Sequence, residues 1–185
     1  MTGDVTDLSI LALVAADRAR ALAVINEAAR WYREFLPPGE YHEPEMTAAD
    51  YDREASRLAW YGAFVAGELV GVMGLEYVRD VALMRHAYIL AEHQRRGIGL
   101  TMLAHLEGEV RGVDRIVIGT YRANHKARGA LERAGYRVSV DCEAVLRRYY
   151  AIPEDRLRAS VTYEKSLTAA APASTPPRSP SVPPS

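Results

Sequence analysis

Gln94-Arg95-Arg96-Gly97-Ile98-Gly99 stands between an apolar run of strand length and a segment with helical apolar spacing. The first amides of a helix have no partner inside it, and with the helix dipole they favour an anion. Glycines at 97 and 99 let the backbone close on a phosphate with no Cβ in the way. Arg95 and Arg96 put positive charge beside the same turn. The segment from Gln94 to Gly99 therefore reads as a pyrophosphate cradle. Two commoner phosphate loops do not fit. A Walker A loop needs Gly-Lys and then Ser or Thr, whereas Gly99 is followed by Leu100 and Thr101. A dinucleotide fingerprint needs a third glycine where Met102 stands, and an early βαβ unit around it. Taken alone, an Arg-Arg-Gly turn reads as well as a solvated loop, so the flanks decide.

Upstream, Val81 to Leu90 has the length and composition of a strand, and the turn Arg79-Asp80 precedes it. Leu58 to Val65 and Leu69 to Val78 are apolar and aromatic runs joined by Ala66-Gly67-Glu68, which predicts a hairpin. The three runs make an antiparallel meander. Further back, Leu22, Ile25, Ala29, Tyr32 and Leu36 recur at helical spacing. They predict one helix from about Ala16 to Leu36, stopped by Pro37-Pro38-Gly39. Thr47, with Asp50 three residues on, starts a second short helix that runs to about Arg57.

Downstream the chain alternates. Ile98 to Arg111 carries Met102, Leu103, Leu106 and Val110 on one helical face, and Arg115 to Tyr121 is a short buried strand. Asn124 to Ala134 is a helix with Ala127, Ala130, Leu131 and Ala134 inward, and Gly135 falls at a left-handed cap. Tyr136 to Val140 is again a strand, so a βαβ unit implies parallel pairing in this half. A short helix near Glu143 to Tyr149 and a strand near Ser160 to Leu167 follow. The expected fold class is α/β of the mixed α+β kind: an antiparallel meander, then a βαβ half, in one mixed sheet flanked by helices.

With 185 residues, 49% hydrophobic and 25% charged, the chain can bury a core without staples and belongs among globular proteins. One domain over residues 1–168 is expected. Residues 169–185 are nearly all Ala, Pro, Ser and Thr, too poor in apolar surface to offset ordering entropy, and are expected to be disordered. A net charge of −1 gives no long-range pull towards nucleic acid or an anionic membrane, so neither is expected as a partner. Met1 to Asp17 has no basic leader ahead of an apolar stretch, and no run reaches the length of a membrane span, so cytoplasm is the expected location. Cys142 is the single cysteine and reads as a small buried hydrophobe; no disulfide and no metal site are expected.

Gln94, Gly97 and Gly99 match the Gln/Arg-x-x-Gly-x-Gly/Ala signature of the GNAT acyltransferase family. Leu69-Val70-Gly71-Val72-Met73-Gly74 resembles that family's second meander strand. Asn124, Ala127 and Gly135-Tyr136 resemble its Asn-x-x-Ala…Gly-Phe helix and turn. The resemblance covers most of Leu58 to Val140, in the family's element order.

The resemblance implies an N-acetyltransferase that uses acetyl-CoA as acyl donor and a small-molecule or protein amine as acceptor. It implies that the third meander strand splits from its neighbour, where the backbone of Ile89 and Leu90 would meet the pantetheine arm. A backbone amide there would polarise the thioester carbonyl. Arg95, Arg96, Gly97, Ile98, Gly99 and Leu100 would hold the pyrophosphate, and Gln94 would bind the coenzyme with them. Asn124 would lie near the pantetheine arm, and it also reads as a helix N-cap. The amine attacks the thioester directly, without a covalent enzyme intermediate. An alkylamine of pKa ~10.4 is mostly protonated at neutral pH, so a base must take its proton.

Here the chain departs from the pattern. Many members carry a tyrosine four residues before the Gly135 position, as the acid for the leaving thiolate; Leu131 stands there and is assigned no catalytic role. Tyr121 is the substitute, or else a packed strand aromatic. For the base, His86 is the residue of the third strand that titrates near neutrality, and Glu76 on the adjacent strand is the second candidate. Each reads also as a structural group. Glu40, Tyr41, His42, Glu43 and Glu45 lie in the loop expected to help build the acceptor site. Trp31, Trp60 and Tyr61 read as core or pocket wall. The Leu131 departure also admits a non-catalytic acyl-CoA-binding or regulatory domain, and the cradle alone admits a nucleotide-binding interaction domain. The oligomeric state stays open, a homodimer being one option.

Overall fold

The computed structural model describes residues 7–37 and 39–167. The meander forms as expected from β2 (Leu58–Val65), β3 (Glu68–Val78) and β4 (Val81–Ile89), each antiparallel to the next. β3 is buried from Leu69 to Glu76 because helices cover both of its faces. On one face α3 (Ile98–Glu109) lays Ile98, Met102, Leu103 and Leu106 against Met73, Leu75, Ala82 and Met84. On the other, α1 (Arg18–Ala28) and α2 (Ala48–Ala55) pack Ala21, Val24, Ile25 and Tyr51 against Trp60, Val72 and Tyr88. Thr47 caps α2 as its spacing predicts: its hydroxyl accepts from the Asp50 amide and the Asp50 carboxylate accepts from the Thr47 amide.

The second half consists of β5 (Arg115–Tyr121), α4 (His125–Arg133), β6 (Arg137–Val138), α5 (Cys142–Tyr149), α6 (Glu154–Ala159) and β7 (Ser160–Ser166). The sheet has seven strands in the order β1-β2-β3-β4-β5-β7-β6, where β1 is Leu8–Ala12. Its parallel pair is β4 with β5, connected through α3. β5 and β6, expected to pair, are not neighbours: β7 enters between them, antiparallel to both. Burial explains the order. β7 is buried from Ser160 to Tyr163, whereas both residues of β6 are exposed, so the more apolar strand takes the inner place.

Two other expectations change, and two elements are additions to them. The helix expected from Ala16 to Leu36 is α1 flanked by 3₁₀ turns at Ala15–Asp17 and Ala29–Glu34. The tightening begins where Trp31, Tyr32 and Phe35 gather, their ring centroids 4.6 to 6.1 Å apart, and aromatic side chains are poor helix formers. β1 and α6 had no clear signal in sequence. β1 pairs with β2 from Leu8↔Val65 to Ala12↔Tyr61 as a largely exposed edge. Trp60 is core, Tyr61 packs half-buried against the α3 side, and Cys142 is half-buried rather than buried. The expected tail, 169–185, lies outside the described residues.

Candidate active site

β4 pairs with β5 only at Ala82↔Ile116, Leu83↔Val117 and Met84↔Ile118. Beyond Met84 the two strands part, β4 staying with β3 and β5 with β7. A bulge drives the divergence. Val72 faces Tyr88 and Gly74 faces Arg85, so His86 and Ala87 together oppose Met73, and His86 takes a left-handed φ of 54°. A cavity of about 810 Å³ fills the fork.

The glycine turn forms one end of it. Arg95 (φ 59°) and Gly97 (φ 82°) both lie in the left-handed region, and Gly97 is the N-cap of α3. No side chain caps this helix, so its first amides face the cavity beside Gly97, Ile98, Gly99 and Leu100, all of which line it. Arg95 lines the cavity; exposed Arg96 does not. Gln94 braces the turn instead of reaching outward, donating its side-chain amide to the Ile89 carbonyl at 3.0 Å. Leu90 donates its N–H to the Val70 carbonyl at 3.0 Å, so the ladder already holds it, and it does not line the cavity. Since antiparallel residues alternate, the polar groups of Ile89 then turn away from β3 and into the fork. Asn124 is buried in the cavity wall and caps α4, its Oδ1 accepting from the Ala127 amide at 3.0 Å.

The other end is made of side chains. Trp31, Tyr32, Tyr88 and Tyr121 wall it, with Tyr121 at 5.9 Å from Tyr32 and 6.3 Å from Phe35 between ring centroids. Of the expected loop residues only Glu45 lines the cavity; Glu43 pairs with Arg33 and Arg30 instead. Tyr88 donates its hydroxyl to Glu45 at 2.9 Å. Burial pushes the Glu45 carboxyl up, and the Tyr88 hydrogen bond with the charges of Arg156, His86 and His42 offsets this only in part. Arg156, from α6, lines the same chamber.

His86 lines the cavity and packs against Trp60, their ring centroids 5.5 Å apart. Its Nε2 lies 3.0 Å from Glu54 of α2. Burial pushes the Glu54 carboxyl up, but hydrogen bonds from His86 and Arg57 and the charges of His86 and Arg85 outweigh it and hold the group at about 2. Glu76 touches this constellation only through Arg85 and Arg57, which it shares with Glu54. It is 5% exposed, clamped by Arg85 at 2.7 Å and Arg57 at 3.2 Å, and absent from the cavity wall. Both of its carboxylate oxygens are paired with these arginines. Leu131 is buried in the cavity wall and brings no polar group there. Reading the sequence missed Glu54, Tyr88, Tyr150 and Arg156. None carries a local motif, and each is brought in by packing across the sheet.

Among the described residues, no helix is long and apolar enough to cross a membrane, and no group of three or more His, Cys, Asp or Glu could hold a metal ion.

Residues 24–136 match the family model described as Acetyltransferase (GNAT) family. The fold is similar to that of the PaiA N-acetyltransferase of Thermoplasma acidophilum, solved in complex with coenzyme A (TM-score 0.66, 18% identity, 87% of this chain and 99% of that one). It is similar to the ribosomal-protein-S18-alanine N-acetyltransferase of Escherichia coli (0.65, 16%, 88% and 96%). An acetyltransferase of Thermus thermophilus also matches (0.63, 21%, 88% and 99%). No curated relative matches the chain in sequence.

Proposed function

Because the chain belongs to the GNAT acetyltransferase family, we propose that it is an N-acetyltransferase that moves an acetyl group from acetyl-CoA to an amine by direct attack. One observation carries the reading: the fork between β4 and β5 joins an uncapped helix N-terminus at one end to a chamber holding Glu45 and His86 at the other. The turn suits a pyrophosphate, because the α3 amides and Arg95 offer positive potential to it. The pantetheine arm would run along the open edge of β4, where Ile89 presents its amide, with Asn124 in the opposite wall. The thioester would then reach the point where the strands separate.

The amine enters from the chamber, where the Glu45 carboxylate and the aromatic faces suit a cationic acceptor. His86 is the base in this reading. Ionised Glu54 accepts from Nε2–H, which leaves the lone pair on Nδ1 to take the amine's proton. Glu54 also stabilises the imidazolium that results. As the C–N bond forms, the carbonyl electrons move to oxygen; they return as the C–S bond breaks and CoA leaves as a thiolate. Residues 1–168 form the catalytic domain and 169–185 a dispensable tail in this proposal, and the setting is cytoplasmic, where a lone thiol stays reduced.

A calorimetric titration with CoA, ATP and NAD, followed by thiol release from acetyl-CoA with a panel of amines, tests it. Preference for CoA with amine-dependent thiol release is expected. Leu131 favours one alternative, a non-catalytic acyl-CoA-binding domain. CoA binding without thiol release from any amine would establish that instead.

A further inference from the structure

Among the described residues, two cavity residues carry a buried polar atom with no hydrogen-bond partner: His93 Nδ1 beside the glycine turn, and the Tyr150 hydroxyl at the fork. Buried polar groups are nearly always paired, so a native exception calls for a reason. Tyr150 is the C-cap of α5; its N–H donates to the Leu146 carbonyl at 2.8 Å, and its backbone has turned to an extended conformation. The ring lies against Gly119. A Cβ at Gly119 would stand 3.2 Å from the Tyr150 Cζ and 3.4 Å from its hydroxyl oxygen, a separation that other residues could not keep without moving the ring. Gly119 is the first residue of β5 past Ile118, the last that pairs with β4. The hydroxyl is therefore held at the point of the fork.

We propose that Tyr150 is a catalytic residue, donating its O–H to the thioester carbonyl oxygen as that atom becomes negative in the tetrahedral intermediate. This rests on the acyltransferase reading above. The phenol keeps its proton throughout. Burial pushes it up, with Arg85 over the ring at 5.5 Å and the Gly119 backbone only partly countering, so it is a far weaker acid than a thiol of pKa ~8.5 and cannot usefully protonate the thiolate. As a neutral, pre-placed donor whose hydroxyl is buried it suits a developing oxyanion. The balance is simple. The amine forms a bond to the carbonyl carbon, the oxygen takes the displaced electron pair while Tyr150 holds it, the amine's proton goes to His86, and collapse restores the carbonyl and releases the thiolate. The proposal also accounts for Leu131: stabilisation enters from α5, and the α4 position is left to pack.

The test is Tyr150→Phe, which removes the hydroxyl and keeps the ring. With an amine that the unaltered protein accepts, kcat is expected to fall by ~10²-fold or more, the size of losing one oxyanion donor. CoA affinity and the KM for the amine should stay unchanged. The Tm should change little, since the hydroxyl makes no more than its contact with the Gly119 backbone in the free protein. Tyr149→Phe, whose hydroxyl binds Asp80 at 2.9 Å outside the site, should retain its kcat. Gly119→Ala, which keeps the hydroxyl but displaces it, should lower kcat as well. Full turnover in the Tyr150 variant overturns the assignment, as does a loss of kcat that only follows a fall in Tm and CoA affinity. If the unaltered protein binds CoA but releases thiol with no amine, the acyltransferase reading itself falls, and Tyr150's role with it.

Discussion

The two ends of the cavity are built from different material. At the glycine turn the chemistry belongs to backbone: uncapped amides of α3, an inward-facing Ile89 and left-handed conformations at Arg95 and Gly97. In the chamber it belongs to side chains from six elements or loops, with Glu45, Glu54, His86, Tyr121, Tyr150 and Arg156 converging across the sheet. A backbone site needs only a local conformation, so six consecutive residues can encode it. A side-chain site needs the whole fold in place first. The difference predicts that turnover and coenzyme affinity can be damaged separately.

The largest effect is expected at the chamber end. His86→Gln should lower kcat by ~10²-fold or more and remove the rise of rate with pH, while calorimetry shows unaltered CoA affinity. An unchanged pH profile of kcat/KM in this variant would return the base to another group and blur the division between the two ends.

Gly97→Val strikes the opposite end. A Cβ at Gly97 meets nothing within 4 Å, so the damage comes from φ rather than from crowding. A β-branched residue at φ 82° costs on the order of 1–3 kcal/mol, and relaxing that strain moves the α3 amides. CoA affinity should fall by about tenfold or more in titration, with the circular dichroism spectrum retained. A folded variant with native affinity would mean that the turn is not the phosphate site.

Glu54 stands behind the chamber against His86, and its partners give it a part in stability. Its carboxyl is depressed in the folded state from an ordinary 4.5 to about 2. The stabilisation is therefore complete above the unfolded value and is lost as pH falls through the folded one. Tm should drop between about pH 5 and pH 2, by the equivalent of up to ~3 kcal/mol, and Glu54→Gln should flatten that part of the curve. Identical acid profiles for the two proteins would remove the partners of Glu54 from the account of stability. The smallest effect is expected from deleting residues 169–185, which should leave Tm and CoA affinity within error.

What could be read from sequence follows the same division. The meander, α3, β5 and the glycine turn were legible because Leu58 to Tyr121 alternates at strand and helix periods with turns between. The place of β7 was not, because strand order depends on which run is more apolar, and Val138 against Val161 is a contrast visible only once both are packed. His86 was legible as the histidine of its strand. Glu54 was not, since a glutamate on the polar helix Ala48–Ala55 looks like any solvated one until His86 is found against it. Glu76 looked like an open carboxylate because the arginines that enclose it lie 19 and 9 residues away in sequence.

The insertion of β7 between β5 and β6 also bears on how the molecule is assembled during synthesis. The meander joins neighbours in sequence and can form early, whereas the outer side of β5 finds its partner only when Ser160–Ser166 has left the ribosome. Until then Ile116-Val117-Ile118 presents a bare apolar strand edge, the kind of surface that recruits other chains. The wall that carries Tyr150 and Arg156 is completed in the same late step, because α5 and α6 precede β7 directly. A nascent chain therefore holds its glycine turn before it holds a finished chamber, and its period of greatest aggregation risk ends when the last strand docks.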